Sequence, residues 1–436
     1  MRQRDLGRRL TTGGRGLVAA CLAVASHFVS AEARAQSKAV VPSLTTERMV
    51  LERVCTTSPL RARASAVREE GVAGAKAAAV LPNPSVLVEH NRSFTGSEDT
   101  ETISGIEFPL GIGGRRFLLA DAAEQRVAQK KAEAEAILID GALDAREALI
   151  AAVAESNRSA LMTAQHDTLI GIAATIAGAQ KSPSRSQHDL LRQTVEVELH
   201  ATTLSLQNAK TAAANAGLAA FVDRPVDLAT IQLSTMAEDG SKRSFATHPR
   251  ILAFDASIRA SDLEVDAANR RWVPDLDLFF GYREVTAFIA PDELQVGRGL
   301  TFRVGLPITF FDHGQGEAAI AAAQRSSTRA EREIFAATKR SEVKAANDVL
   351  TELTHVPAGV DTVALAKKLF EQDKDLYAAG EGSIEDLLEA AGLVESTALA
   401  RIDAEEARAN ARVAKMRALG TLSNPELEAI CAAGAK

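Results

Sequence analysis

Aromatic residues make up only 4% of the chain, with one Trp and two Tyr against fifteen Phe. So few large rings argue against a bulky globular core and for long, slender, Ala-rich helices that pack closely. Basic residues are outnumbered, 50 against 57 acidic ones, for a net charge of −7. No basic patch is interleaved with aromatics, which excludes a nucleic-acid binder. The eight His are scattered, without the close pairing to Cys or acids that a metal site needs. His188-Asp189 and Asp312-His313 are adjacent, but neighbours on a helix point in different directions. Gly111, Gly113 and Gly114 lack the Lys and Ser/Thr of a phosphate loop and suit a turn instead. Nothing nominates an enzyme site, a metal or a cofactor. Beyond the N-terminal segment no apolar run approaches the ~20 residues of a membrane helix. A chain of this kind can enter a membrane only with strands.

The first residues read as an export signal. Arg2, Arg4, Arg8, Arg9 and Arg15 form a basic start, Leu17–Val29 an apolar run, and Ala33-Arg34-Ala35 a small-x-small cleavage site. Residues 1–35 are read as a signal peptide, with the exported chain beginning at Gln36. Val18-Ala19-Ala20-Cys21 also resembles a lipid-attachment box, but almost no apolar core precedes it. The removed segment carries six Arg and two acidic residues, so what remains is more acidic than the whole. Export leads to an oxidising compartment, where Cys55 and Cys431 remain near opposite ends of the chain, as free thiols or as a pair.

Residues 273–314 show strict alternation in two arms. Leu276, Leu278, Phe280 and Tyr282 share one face, with Asp275, Asp277, Gly281 and Arg283 on the other. In the return arm Leu300, Phe302, Val304 and Leu306 oppose Thr301, Arg303 and Gly305. Period two predicts strands. Each arm is about 9–11 residues, the length a tilted strand needs to cross a bilayer. Taken alone, a half-buried hairpin of a soluble sheet fits equally well.

The unit occurs twice. Pro59 to Pro84 and Pro249 to Pro274 have the same spacing. Each second Pro opens a hairpin, the first running through residues 85–94 and 102–110. Each hairpin is followed by a Gly-rich turn and a very long helical segment, about 116–179 and 316–378. Pro357 and Gly359 predict a break in the second. Val127, Leu138 and Leu149, spaced by eleven, suit nearly straight helix packing. Ser186-x-x-Asp189-Leu190-Leu191 and Ser383-x-x-Asp386-Leu387-Leu388 then each open a returning helix, the Ser as N-cap and the Asp in the first turn. The divisions are 36–222 for the first repeat, 223–247 for an irregular connector, 248–422 for the second repeat and 423–436 for a tail. Four strands cannot close a barrel, so several chains must share one; three supply twelve strands.

Leu81–Val86, Glu107–Arg116, His248–Arg250, Val273–Tyr282, Gly305–Phe311 and Tyr377–Ala390 resemble, in this order and doubling, the TolC-like outer-membrane efflux factors. The resemblance runs from about Pro59 to Leu422, and the Pro109–Arg116 turn is most similar to the heavy-metal branch. It implies an α+β membrane protein of two helix–hairpin–long helix–long helix repeats. The assembly would be a trimeric 12-stranded β-barrel continued by an α-helical periplasmic tube. It further implies a homotrimer in outer-membrane lipid, with a periplasmic adaptor and an inner-membrane resistance-nodulation-division pump as partners. An exported coiled-coil adaptor or scaffold is the competing reading.

Site residues follow from the resemblance. Asp386 and Glu389 would form an acidic pore constriction, although Asp386 also suits a helix cap alone. Tyr377 and Asp189 would latch the closed state, with Gly382 standing where better-known relatives carry an Arg. The adaptor would contact the tips at Ser182, Pro183, Ser184, Gly380, Gly382 and Ser383. The same architecture places both chain ends partway along the tube, so Cys55 and Cys431 are expected to pair.

Overall fold

The computed structural model describes residues 43–94, 99–178, 183–237, 245–290, 293–354, 361–422 and 424–434. The signal segment, Cys21, Pro357, Gly359 and Ser182 lie outside them. Two short helices come first, α1 (Glu47–Thr57) and α2 (Pro59–Ala79), followed by the hairpin β1 (Ser85–Arg92) and β2 (Thr100–Leu110). Next are the 64-residue α3 (Arg115–Gly178) and the returning α4 (Pro183–Ala219). The second copy holds α5 (Pro249–Asn269), β3 (Leu276–Ala290), β4 (Glu293–Gly305), α6 (Gln315–Thr354), α7 (Thr362–Ala379) and α8 (Ile384–Leu419). A last helix, α9, covers Pro425–Gly434.

Local chemistry sets these boundaries. Pro59 and Pro249 stand at the start of their helices, where a missing N–H costs nothing. Asp361 caps α7 by accepting from the Ala364 N–H. Gly380 and Gly420 end α7 and α8 in the left-handed conformation. Gly114 (φ 69°) and Gly314 (φ 93°) turn the chain from strand to long helix in each copy. At Gly314 a side chain would also drive its Cβ to 2.2 Å from the Ala268 carbonyl oxygen. At 1.5 Å per residue α3 spans on the order of 100 Å. In the second copy α6 ends at Thr354 and α7 starts at Thr362 behind its Asp361 cap, and Pro357 and Gly359, where a break is expected, lie outside the described residues.

Two features differ from expectation. The second hairpin's arms are longer than predicted, 15 and 13 residues, because residues 284–290 and 293–299 continue the ladder. Glu284 and Arg298, paired with each other, interrupt the apolar face there, which Leu294 and Val296 then continue, and β-branched Val285, Thr286 and Val296 suit a strand. The ends of the chain also carry α1 and α9, which pack on each other and on α3.

The strands form one antiparallel sheet in the order β1-β2-β3-β4. Register places Val86, Ile106, Phe280 and Phe302 in one row across all four strands. All four are exposed, at 77%, 44%, 58% and 65%. Val88, Tyr282 and Leu300 extend this apolar face in the next row. The other face carries Glu89, Glu107, Asp277, Arg283 and Arg303. There Gly105 and Gly281 stand directly opposite, and the buried Phe279 ring lies across them. The Arg303 guanidinium covers that ring at 5.2 Å.

The main core lies where α1, α3, α8, α9 and the connector meet. Leu51, Leu138, Leu143, Leu149, Ile150, Met416, Leu422 and Leu427 are fully buried there. Cys55 and Cys431 are disulfide-bonded within it, with Cα atoms 4.9 Å apart. Arg146, 4% exposed, pairs through Nε with Glu47 at 2.5 Å and faces the Leu422 carbonyl. Burial pulls its pKa below the ordinary arginine value, and Glu47 opposes that shift. We call this block the collar.

Candidate functional site: the tip of the helical hairpins

At the far end of α3 a second, smaller apolar cluster forms. Leu169, Ile172 and Ile176 of α3 meet Tyr377 of α7 and Ile384, Leu387 and Ala391 of α8. The turn between α7 and α8 is tightly made. Gly380, Glu381 and Gly382 donate their N–H groups to the Leu376 carbonyl, and Gly380 also to that of Tyr377. A Cβ at Gly382 would stand 3.0 Å from the Tyr377 amide nitrogen, so the close approach favours glycine. Ser383 then caps α8.

The two copies of the Ser-x-x-Asp-Leu-Leu motif use their Asp differently. In the second copy Asp386 completes a capping box. Ser383 Oγ accepts from the Asp386 N–H at 3.1 Å and donates to Asp386 Oδ2 at 2.6 Å. Asp386 is exposed, as is Glu389 one turn on, and both line a groove with Asp373 of α7. In the first copy Asp189 is 5% exposed and accepts the Tyr377 hydroxyl proton at 2.8 Å. Tyr377 is itself 6% exposed, so this hydrogen bond joins the two repeats out of water. Pro183 and Ser184 open α4.

Other links, between the repeats and, for Gln193, within the first, carry no sequence motif. Arg192 of α4 pairs with Glu385 of α8. Gln165, buried on α3, donates to the Ala391 carbonyl of α8 at 2.8 Å. Gln193, buried on α4, donates to the Leu169 carbonyl at 2.6 Å. Farther from the tip, Arg158 of α3 holds Glu155, Asp403 and Glu406. A Gln aimed at a helix carbonyl reads in sequence like any solvated Gln, so only the fold exposes its role. Among the described residues no group of three or more His, Cys, Asp or Glu could hold a metal ion. Nor is any described helix long and apolar enough to cross a membrane.

What this arrangement can do is mechanical. A helical hairpin, α7–α8, is attached to another, α3–α4, by a small apolar cluster and a few polar contacts. Comparison with known proteins agrees with that frame. Residues 241–421 match the outer membrane efflux protein family. The second half of the chain carries that family's pattern, and most of the chain shares the fold of solved outer-membrane channels. CusC, solved in a study of folding and transmembrane channel formation, aligns with TM-score 0.64 at 15% identity, covering 86% of this chain and 92% of CusC. The Campylobacter jejuni CmeC outer membrane channel gives 0.66 at 14%, covering 86% and 85%. The open state of the Neisseria gonorrhoeae MtrE outer membrane channel gives 0.64 at 14%, covering 86% and 89%. Compared by sequence, no curated protein matches the chain.

Proposed function

We propose that the protein is the outer-membrane exit duct of a tripartite efflux system. Three copies share one 12-stranded barrel, and their helices continue it as a hollow tube into the periplasm. An inner-membrane resistance-nodulation-division pump and a periplasmic adaptor feed the tube, and substrate leaves by diffusion. The cargo we assign is heavy-metal cations, on the resemblance carried by Pro109–Arg116.

One observation carries this reading: the exposed apolar row Val86–Ile106–Phe280–Phe302 crosses a sheet whose edge strands, β1 and β4, are each paired on one side only among the described residues. In water such a face and such edges invite aggregation. In a bilayer the apolar face is solvated by lipid, and neighbouring copies satisfy the edges. The polar face with Asp277, Arg283 and Arg303 then lines the lumen.

The test is substitution on the two faces. Leu278→Arg is expected to cost about 2–4 kcal/mol of membrane assembly if it sits near the midplane, while Asp277→Arg assembles normally. Assembly is read as detergent-requiring, salt-resistant protein in outer-membrane pellets. The reverse ranking would move the lipid face to the other side of the sheet. Release of the wild type by a salt wash would favour the exported scaffold.

A further inference from the structure

The apolar face of the sheet is shorter than the strands that carry it. β3 has 15 residues, whereas a tilted strand needs about 9–11 to cross the hydrocarbon of a bilayer. Strand length alone leaves the level of the membrane open, but side chains along that face mark two limits. The outer limit is a polar row. On the side of the Val88–Tyr282–Leu300 row away from the helices, register sets His90, Thr102, Glu284 and Arg298 side by side across all four strands. His90 Nδ1 and Thr102 Oγ1 stand 2.9 Å apart, and Arg298 Nε pairs with Glu284 Oε2 at 3.1 Å. The row beyond holds Arg92, Thr100, Thr286 and Val296. Charge on the lipid face is costly at the midplane and tolerated near the interface. A bilayer that reached Leu294 and Val296 would have to take in Glu284, Arg298 and Arg92.

The inner limit lies where the strands join the helices. Past the end of β4 at Gly305 come Ile308, Phe310 and Phe311, exposed at 86%, 78% and 86%. The two Phe rings meet edge to face at 5.2 Å. Trp272, 65% exposed, stands beside this segment, because its carbonyl accepts from Thr309 Oγ1 at 2.9 Å. Ion pairs begin at once on the helix side: Arg271 with Asp312 and Glu317, and Arg115 with Glu317. Trp and Tyr favour the membrane–water interface, where the ring meets acyl chain and the polar atom meets water. Trp272 and Tyr282 are ten residues apart in sequence. At about 3.3 Å per residue and about 40° of tilt, that spacing rises about 25 Å, the height of the lipid-facing band of a barrel.

We propose that two girdles hold the bilayer at one level on the sheet. Trp272, with Phe310 and Phe311, contacts lipid headgroups of the periplasm-facing leaflet. Tyr282 and the His90–Thr102–Glu284–Arg298 row lie at the headgroup level of the opposite leaflet. The midplane then falls at the Phe108–Leu278–Val304 row, and the β3–β4 hairpin beyond Glu284 projects past the hydrocarbon. The proposal rests on the duct reading and adds to it where the lipid contacts the chain.

Trp272 is the only Trp in the chain, so the wild type reports its own depth. The protein is reconstituted in phosphatidylcholine vesicles brominated either near the headgroup end of the acyl chains or near their tips, and iodide is added on both sides of the membrane. Trp272 is expected to lose more emission to the shallow bromine than to the deep one, and little to iodide. Two variants in a Trp272→Phe background complete the ruler. Val304 and Val296 are 53% and 44% exposed, which leaves room for a larger ring. Val304→Trp should be quenched most by the deep bromine. Val296→Trp should be quenched by iodide and by neither bromine. Trp272 quenched most by deep bromine, or by no bromine at all, overturns the inner girdle; shielding from iodide as well would mean that protein covers it. Bromine quenching of Val296→Trp overturns the outer one. If Val304→Trp escapes bromine at both depths, the duct reading itself fails.

Discussion

The collar and the tip are built from the same helices but held by different forces. In the collar, large apolar side chains are fully buried, a disulfide closes a separation of 376 residues, and Arg146 is locked with Glu47 inside the core. At the tip the apolar cluster is small, and single polar contacts such as Tyr377–Asp189 and Gln165–Ala391 join the repeats. Apolar burial and a covalent bond cannot be exchanged for water at low cost, whereas a hydrogen bond can, because its net worth is only about 0.5–1.5 kcal/mol for neutral partners. The difference suits the proposed tube, which would be fixed at the collar and adjustable at the tip.

The largest expected effect breaks the collar. Arg146→Ala leaves Glu47 without its buried partner and is expected to cost about 3–5 kcal/mol. Denaturant unfolding should show it as a lowered midpoint for the whole helical body, with tip exchange changed no more than the rest.

Removing the disulfide is expected to come next. Cys55→Ser should cost about 2–5 kcal/mol, since the bond closes a very long loop in the unfolded chain. The same loss should follow from reducing the wild type, while the isolated variant should be insensitive to reductant. A non-reducing digest that finds both thiols free would remove the covalent side of the comparison.

How much of this contrast could be read from residues alone depends on whether an element carries a period or a cap. The second hairpin's face was legible from Leu276 to Tyr282 because alternation there is strict, and the observed register keeps that face together. The turn at Gly380–Ser383 was legible from its glycines and cap. Residues 284–290 and 293–298 were less so, because Glu284 and Arg298 break the apolar face before Leu294 and Val296 resume it. The collar helices α1 and α9 are short and depend on each other, and no local signal announces a contact across nearly the whole chain. Asp189 and Asp386 looked equivalent by motif. Only the packing of Tyr377 buries one and leaves the other to cap its helix.

Smaller effects sharpen the tip side. Tyr377→Phe keeps the ring in its cluster and removes one hydrogen bond to the buried Asp189 carboxylate, a loss of about 1–3 kcal/mol. The change should be local: faster exchange over α7 and the start of α8, with the collar's unfolding midpoint unmoved. In planar bilayers it should also raise the open fraction. The double variant Asp386→Ala/Glu389→Ala bears on the acidic groove. The cap accounts for about 1 kcal/mol of helix stability. A constriction ring would in addition show reduced cation preference and lost block by multivalent cations. Unchanged selectivity and block would leave Asp386 with the cap alone.

The claim on which both sides of the comparison rest is that one chain cannot close its own sheet. The most direct measurement is the mass of the detergent-solubilised protein, by light scattering with the micelle contribution separated. The account predicts three chains per particle at micromolar concentration. A well-folded monomer with its strands intact would contradict it.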